Sequence, residues 1–317
     1  MDADREKDVW RQEMAEVRTA PKFGEVITAM VTPFGADGSL SLERARALAS
    51  RLIEHGSDGL VVSGTTGEAP TLSQREKLGL FENIVDEVSG RASVIAGTGT
   101  YDTAESIALT REAAAVGVNA CLIVTPYYSK PPQNGLLAHF RAVADESAVP
   151  LILYDIPGRT GRRIERSTMV ELAAHDNIVG VKDAVGDATE TALLRAQIDD
   201  AGRHEFEILS GDDVLLLPHL AAGAVGIVSV CSHLIGPQIK QMVAGFRDGK
   251  IEEAQRVYTE FLPLMSTIMS VTASPIPVRA ALEMIGVQVG EPRLPLVPAT
   301  EKESVIIRTA LERAGLL

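Results

Sequence analysis

Lys182 closes the apolar run Ile178-Val179-Gly180-Val181 and is followed by Asp183-Ala184. The run reads as a buried strand, so this lysine stands where such a strand ends. An ammonium group is costly to bury unless it is paired or kept neutral. Paired, for instance with Asp183, Lys182 is a structural ion-pair partner. Neutral, it is a nucleophile that can form a Schiff base with a ketone. The residue alone leaves both readings open.

Other reactive groups close similar runs. Gly64-Thr65-Thr66-Gly67 offers two hydroxyls and pliable backbone ahead of a helix, a seat for a carboxylate or simply a turn with satisfied hydroxyls. Tyr128 and Tyr154 bring phenols that can donate and accept protons, although a buried structural tyrosine is the commoner case. Arg159 follows Pro157-Gly158, and its planar fork suits a bidentate carboxylate or a surface ion pair. Three of the five tyrosines fall on two of these ends, a concentration that packing does not explain. Asp212-Asp213 read as caps of the helix that follows. The six histidines show no metal-ligand spacing, and neither a nucleophile elbow nor a phosphate loop is present. Schiff-base chemistry requires no metal or organic cofactor, and we expect none.

The elements that position these groups recur about every 30 residues, the spacing of βα units. Strands are expected at Val26–Thr32, Gly59–Ser63, Ser93–Gly97, Ala120–Thr125, Leu151–Ile156, Ile178–Lys182, Glu207–Ser210 and Gly226–Cys231. Nearly continuous hydrophobes imply strands covered on both faces. Amphipathic segments such as Ser41–His55, Ser73–Val88 and Thr103–Val116 alternate with them. Ser73 with Glu76, and Asp102 with Glu105, carry helix-start chemistry. Eight such units predict a (β/α)8 barrel, an α/β fold whose sites lie at the C-terminal strand ends. Three further helices, Ile251–Ser270, Pro277–Ile285 and Thr300–Ala314, predict a C-terminal helical appendage. The chain thus divides into an N-terminal extension (1–22), a barrel core (23–235), and the last barrel helix with its appendage (236–317). The extension is a short helix bearing Trp10, Met14 and Val17, or a loose arm.

A formal net charge of −13 without a basic run argues against nucleic acid and anionic membranes as partners. Hydrophobic residues at 45% and charged residues at 23% suit a soluble globular enzyme. Cys121 and Cys231 lie in apolar segments and read as buried thiols in a reducing compartment, here the cytoplasm. The charged first residues are not a secretory signal. Val214 to Ile235 is apolar enough to suggest a membrane span. Pro218, His219, Gly223, Gly226 and His233 interrupt it, so a short buried helix and a buried strand account for it better.

Taken together, five blocks resemble the dihydrodipicolinate synthase (4-hydroxy-tetrahydrodipicolinate synthase) family. They are Gly64-Thr65-Thr66-Gly67-Glu68, Val124-Thr125-Pro126-Tyr127-Tyr128, Leu153 to Gly161, Gly180-Val181-Lys182-Asp183 and Leu209-Ser210-Gly211-Asp212-Asp213. Pro275-Ile276-Pro277-Val278 and Arg293-Leu294-Pro295 fit as well, and the resemblance spans about residues 23 to 317. It implies Lys182 as the Schiff-base lysine for pyruvate, and Tyr154, Thr65 and Tyr128 as a proton relay, Tyr128 coming from the adjoining subunit. Thr66, the backbone at Val228, and Gly211 would contribute to substrate binding, and Arg159 would hold the carboxylate of L-aspartate 4-semialdehyde. A homotetramer, a dimer of dimers, and a role in diaminopimelate and lysine synthesis are also implied. Valine at 228 departs mildly from the more usual isoleucine.

Other departures concern regulation. Lysine-inhibited members usually carry histidines where Gln74 and Lys77 stand and a serine where Ala69 stands. Tyr101 replaces an asparagine, whereas Glu105 and Tyr127 match. A cationic Lys77 would repel a lysine ligand, so lysine inhibition is expected to be weak or absent. Two rivals remain: a pyruvate aldolase acting on another aldehyde or 2-oxo acid, and a silent barrel that binds a metabolite as a regulatory module.

Overall fold

Eight short hydrophobic runs pair in parallel, each with the next and the last with the first, and so close a barrel. They are β1 (Val26–Ala29), β2 (Gly59–Val62), β3 (Ser93–Gly97), β4 (Ala120–Val124), β5 (Leu151–Asp155), β6 (Ile178–Asp183), β7 (Glu207–Ser210) and β8 (Gly226–Ser229). The structure, a computed structural model, describes residues 21–317. The possible helix bearing Trp10, Met14 and Val17 lies outside the described residues.

Crossovers are made by α1 (Leu42–Glu54), α2 (Gln74–Val88), α3 (Thr103–Ala115), α4 (Gln133–Asp145), α5 (Arg166–Ala173), α6 (Ala188–Asp200) and α7 (Leu216–Ala221), and α8 (Ser232–Arg247) follows the last strand. Ser73 and Glu76 form the expected capping box on α2, and Asp102 accepts from Glu105 N at 2.7 Å to start α3. The apolar stretch from Val214 resolves into the short α7 followed by β8. No helix among the described residues is long and apolar enough to cross a membrane.

Alternation along the strands sorts side chains into two cores. Ile27, Val61, Ile95, Leu122, Ile152, Tyr154, Leu209 and Val228 fill the barrel interior. Outward-facing residues such as Leu60, Val62, Ile123 and Val181 meet the helices in a larger shell. Both cysteines are buried and free, and burial pushes the Cys121 thiol up to about 12.

Several strands are shorter than their hydrophobic runs, because the trailing residues leave the ladder to make other bonds. Thr32 donates its hydroxyl to Gly67 O at 2.6 Å, Ser63 turns into left-handed backbone (φ 58°), and Cys231 N donates to Asp213 at 3.2 Å. Strand β6 instead runs one residue further, so Asp183 pairs with both Asp155 and Ser210.

Three more helices, α9 (Ile251–Ser270), α10 (Ile276–Met284) and α11 (Glu301–Arg313), follow the barrel. Two arginines fasten this appendage to the loops at the C-terminal strand ends. From α10, Arg279 donates to Thr32 O (2.8 Å), Val289 O (2.7 Å) and Gly290 O (2.9 Å). Arg293 donates to Gly38 O (2.9 Å), Thr71 O (3.0 Å) and Glu76 (2.6 Å). Both guanidinium groups lie over the fully buried Phe34 ring, at 5.2 and 4.5 Å from its centre.

Candidate functional site

Lys182 and Tyr154 are direct register partners at the ends of β6 and β5. Both side chains point into the barrel mouth, 5% exposed, with Lys182 Nζ 4.2 Å from the centre of the Tyr154 ring. Asp183, one residue on, projects from the opposite face of β6. There it accepts from Thr191 Oγ1 at 2.6 Å and Val185 N at 3.0 Å. The period of two that places Lys182 inside places Asp183 outside, so the two do not form an ion pair. Among the described residues no carboxylate lies within ion-pair distance of Lys182. Its close neighbour is an aromatic face.

Around this pair, the Gly64-Thr65-Thr66-Gly67 segment forms a tight turn, not an extended loop. Glu68 N donates to Thr65 O at 3.1 Å and Ala69 N to Gly64 O at 3.2 Å, and a single 3-10 turn (Ala69–Thr71) precedes α2. Thr66 is buried and Thr65 partly so. Val228 faces the barrel interior on β8, paired with Ile27. Gly211 follows β7 and packs against the lysine stem. A Cβ there would stand 2.8 Å from Ala184 Cβ, 3.0 Å from Asp183 O and 3.1 Å from Lys182 Cγ. A side chain there would have to move Ala184 or the β6 backbone and would crowd the Lys182 stem.

Two candidates lie apart from the buried pair. Arg159 is exposed on the one-turn segment Pro157–Thr160 that follows β5, without a carboxylate partner among the described residues. Tyr128 is 93% exposed and holds left-handed backbone (φ 65°), a conformation costing a non-glycine residue roughly 1–3 kcal/mol. Its phenol makes no hydrogen bond among the described residues. Beside it, Tyr127 meets Tyr101 edge to face with ring centres 5.2 Å apart.

The bracing role of Asp213 and the Arg279 partner of Glu68 were not apparent from the sequence. Asp212 caps the following turn as expected, accepting from Val214 N at 3.1 Å. Asp213 does not: it is buried and grips the end of β8 through Ser229 Oγ, Val230 N (2.9 Å) and Cys231 N (3.2 Å). It thereby fixes the backbone that follows Val228. Glu68, 2% exposed, accepts from Arg293 N at 2.9 Å, and Arg279 Nη1 lies 3.0 Å from its Oε1, off the hydrogen-bonding line. Burial raises the Glu68 carboxyl, and the Arg279 charge opposes that rise. Glu68 belongs to a block that was legible as a unit. Its partner on α10 was not, because no local periodicity joins residues so distant in sequence.

Comparison with known proteins agrees with this geometry. The Dihydrodipicolinate synthetase family matches residues 22–314. A 4-hydroxy-tetrahydrodipicolinate synthase of Desulforudis audaxviator is 50% identical over 93% of this chain and 99% of its own length. The crystal structure of the Cyanidioschyzon merolae enzyme with lysine bound superposes with a TM-score of 0.89 at 43% identity, covering 93% of this chain and 99% of that one. A chloride-inhibited dihydrodipicolinate synthase from Acinetobacter baumannii, complexed with pyruvate, gives 0.89 at 36% identity over 92% and 99%. A barrel closed in this strand order, with a buried lysine against a tyrosine at its mouth and relatives alike along nearly their whole length, is a member of the dihydrodipicolinate synthetase family.

Proposed function

We propose that this chain condenses pyruvate with L-aspartate 4-semialdehyde through a Schiff base on Lys182, as a 4-hydroxy-tetrahydrodipicolinate synthase of the diaminopimelate and lysine route. The observation that carries this reading is the register pair itself: an amine buried in the barrel mouth, with no carboxylate partner among the described residues, against the Tyr154 ring. Lys182 in its amine form attacks C2 of pyruvate, and the carbinolamine loses water to give an imine. The imine acidifies the methyl group, which loses a proton to give an enamine. Tyr154, with Thr65 and the Tyr128 of a second copy, carries the protons. The enamine carbon then attacks the aldehyde carbon. The substrate's own amine adds to C2 and releases Lys182 as the ring closes.

Thr66 and the backbone at Val228 and Gly211 seat the pyruvate carboxylate, and Arg159 receives that of the semialdehyde. An exposed guanidinium at the mouth is placed to meet an anion as it enters. The exposed Tyr128 supports a dimer of dimers in which each copy completes its neighbour's relay. Condensation rates with L-aspartate 4-semialdehyde against a neutral aldehyde test the specificity. A preference for the neutral aldehyde would favour an aldolase acting on another substrate.

Lysine feedback is expected to be weak. Lys77 is 8% exposed and burial lowers its ammonium, with Glu105 opposing. Gln74 donates to Glu112 at 2.5 Å. The lysine side chain is already present on the chain beside Glu105, which disfavours a second ammonium there.

A further inference from the structure

The two strands that deliver Tyr154 and Lys182 each also deliver an aspartate to the outer face. Asp155 follows Tyr154 and Asp183 follows Lys182, and the two aspartates are register partners just as the tyrosine and lysine are. Neighbouring strands stand about 4.8 Å apart, so the two carboxyl groups leave the same face side by side. They are 3% and 4% exposed.

The two are not equally furnished. Asp183 has a donor for each oxygen, Val185 N on Oδ1 and Thr191 Oγ1 on Oδ2. Asp155 has only Ile164 N, shared between its oxygens at 3.3 Å each. The cations that line the same small cavity are engaged elsewhere. Arg163, on the loop after the Pro157–Thr160 turn, and Arg166, on α5, both bind Glu190 of α6, the latter at 2.9 Å to each oxygen. From α7, His219 faces Asp183 together with Asp187 and Asp212, and burial holds its imidazole below the usual range. The Arg163 charge reaches Asp155 and opposes the rise of its carboxyl, but that guanidinium is shared with Glu190, so among the described residues it does not neutralise two carboxylates. Two like charges at this spacing, out of water, do not both persist.

We propose that Asp155 and Asp183 form a one-proton clamp on the outer face of β5 and β6, with Asp155 carrying the proton and Asp183 the charge, and that Asp155 is thereby a positioning residue for Tyr154 and Lys182. The clamp fixes the two strand ends relative to each other, and with them the 4.2 Å contact inside the mouth. Burial above all, with the Asp183 charge adding to it, pushes the Asp155 carboxyl up to about 7, in keeping with the assignment of the proton. When that proton leaves, repulsion between adjacent strands separates the ends and the inner pair loses its register.

This inference rests on the Schiff-base reading, and its test keeps the two apart. The full-length protein and its Asp155→Asn and Asp155→Ala variants are compared across pH 5.5 to 9 for condensation kcat and for borohydride trapping of pyruvate on Lys182, with circular dichroism as the check on folding. The carboxamide keeps a neutral donor at every pH. Asp155→Asn should therefore match the parent within about threefold at pH 6 and lose the parent's alkaline decline with a midpoint near 7. Folded Asp155→Ala should lose at least tenfold in kcat throughout, with its alkaline ionisation also gone. If the parent traps pyruvate but Asp155→Asn keeps the parent's pH profile, or if Asp155→Ala matches the parent in kcat, the clamp is wrong and the Schiff base stands. If the parent traps no pyruvate, the Schiff-base reading falls, and this inference with it.

Discussion

Arg279 should be the most consequential residue outside the barrel mouth. Its guanidinium is 2% exposed, makes charge contact with the equally buried Glu68, and satisfies carbonyls at Thr32, Val289 and Gly290. Replacing it with methionine keeps the volume but strands a carboxylate in the interior, a loss of about 3–5 kcal/mol when one partner of a buried pair is removed. Unfolding entropy near 2.1 cal/mol/K per residue, over 317 residues, makes each kcal/mol worth roughly 1.5 °C, so Arg279→Met should melt about 5–7 °C below the parent. The sign of the pH dependence follows from Glu68. Burial already raises its carboxyl in the folded protein, and losing Arg279 removes the leading influence that opposes the rise. The folded variant then binds a proton that the unfolded chain releases, so its deficit against the parent should narrow as pH falls from 8 to 5. Glu68→Gln combined with Arg279→Met removes the stranded charge and should recover at least about 1 kcal/mol relative to Arg279→Met alone. Denaturant titrations of parent, single and double variants at two pH values measure all of this. A deficit under about 1 kcal/mol, no change with pH, or a double variant no better than the single would refute the reasoning.

Stability should also respond to Asp155. Its folded-state carboxyl, raised to about 7 against an ordinary 3.8, makes the parent lose stability as pH rises from 4 to 7. At about 1.4 kcal/mol per pH unit, Asp155→Asn should gain up to about 4 kcal/mol on the parent across that window, read from urea midpoints at each pH. Gly211→Ala should lower kcat about 10- to 100-fold with the fold intact, because its Cβ would crowd Lys182 Cγ at 3.1 Å; steady-state kinetics beside a thermal melt separates this from unfolding. Titration with free L-lysine in a coupled assay should leave the rate unchanged at micromolar concentrations, and half-inhibition there would contradict the reading of Lys77. Tyr128→Phe should lower kcat far more than thermal stability, since its side chain is 93% exposed in the single chain; equal losses in both would count against a relay role.

The barrel was legible because its signals are local. Hydrophobic runs at βα spacing, Ser73 with Glu76, and Asp102 with Glu105 each declare an element within a few residues. That Lys182 and Tyr154 would be neighbours was legible because barrel topology sets consecutive strand ends side by side. What stayed hidden is relational. Whether Lys182 pairs with Asp183 turned on strand alternation, which places Asp183 on the other face. Asp213 reads like its neighbour Asp212 as a helix cap, yet it is the reach to β8 that decides its role. Arg279 and Glu68 meet only because α10 reaches the loops that follow β1 and β2, and no periodicity in the chain reports that contact. The Asp155–Asp183 pair is invisible until the register of β5 on β6 is known.

The central claim concerns the Lys182 amine, and one measurement reaches it directly. The folded protein is incubated with pyruvate, reduced with borohydride, digested and mapped by mass. A Schiff base on Lys182 should leave a single adduct, heavier by pyruvic acid less one oxygen atom, on the peptide carrying Lys182 and absent without pyruvate. A folded protein that shows no adduct, or one that carries it on another lysine, would contradict the account.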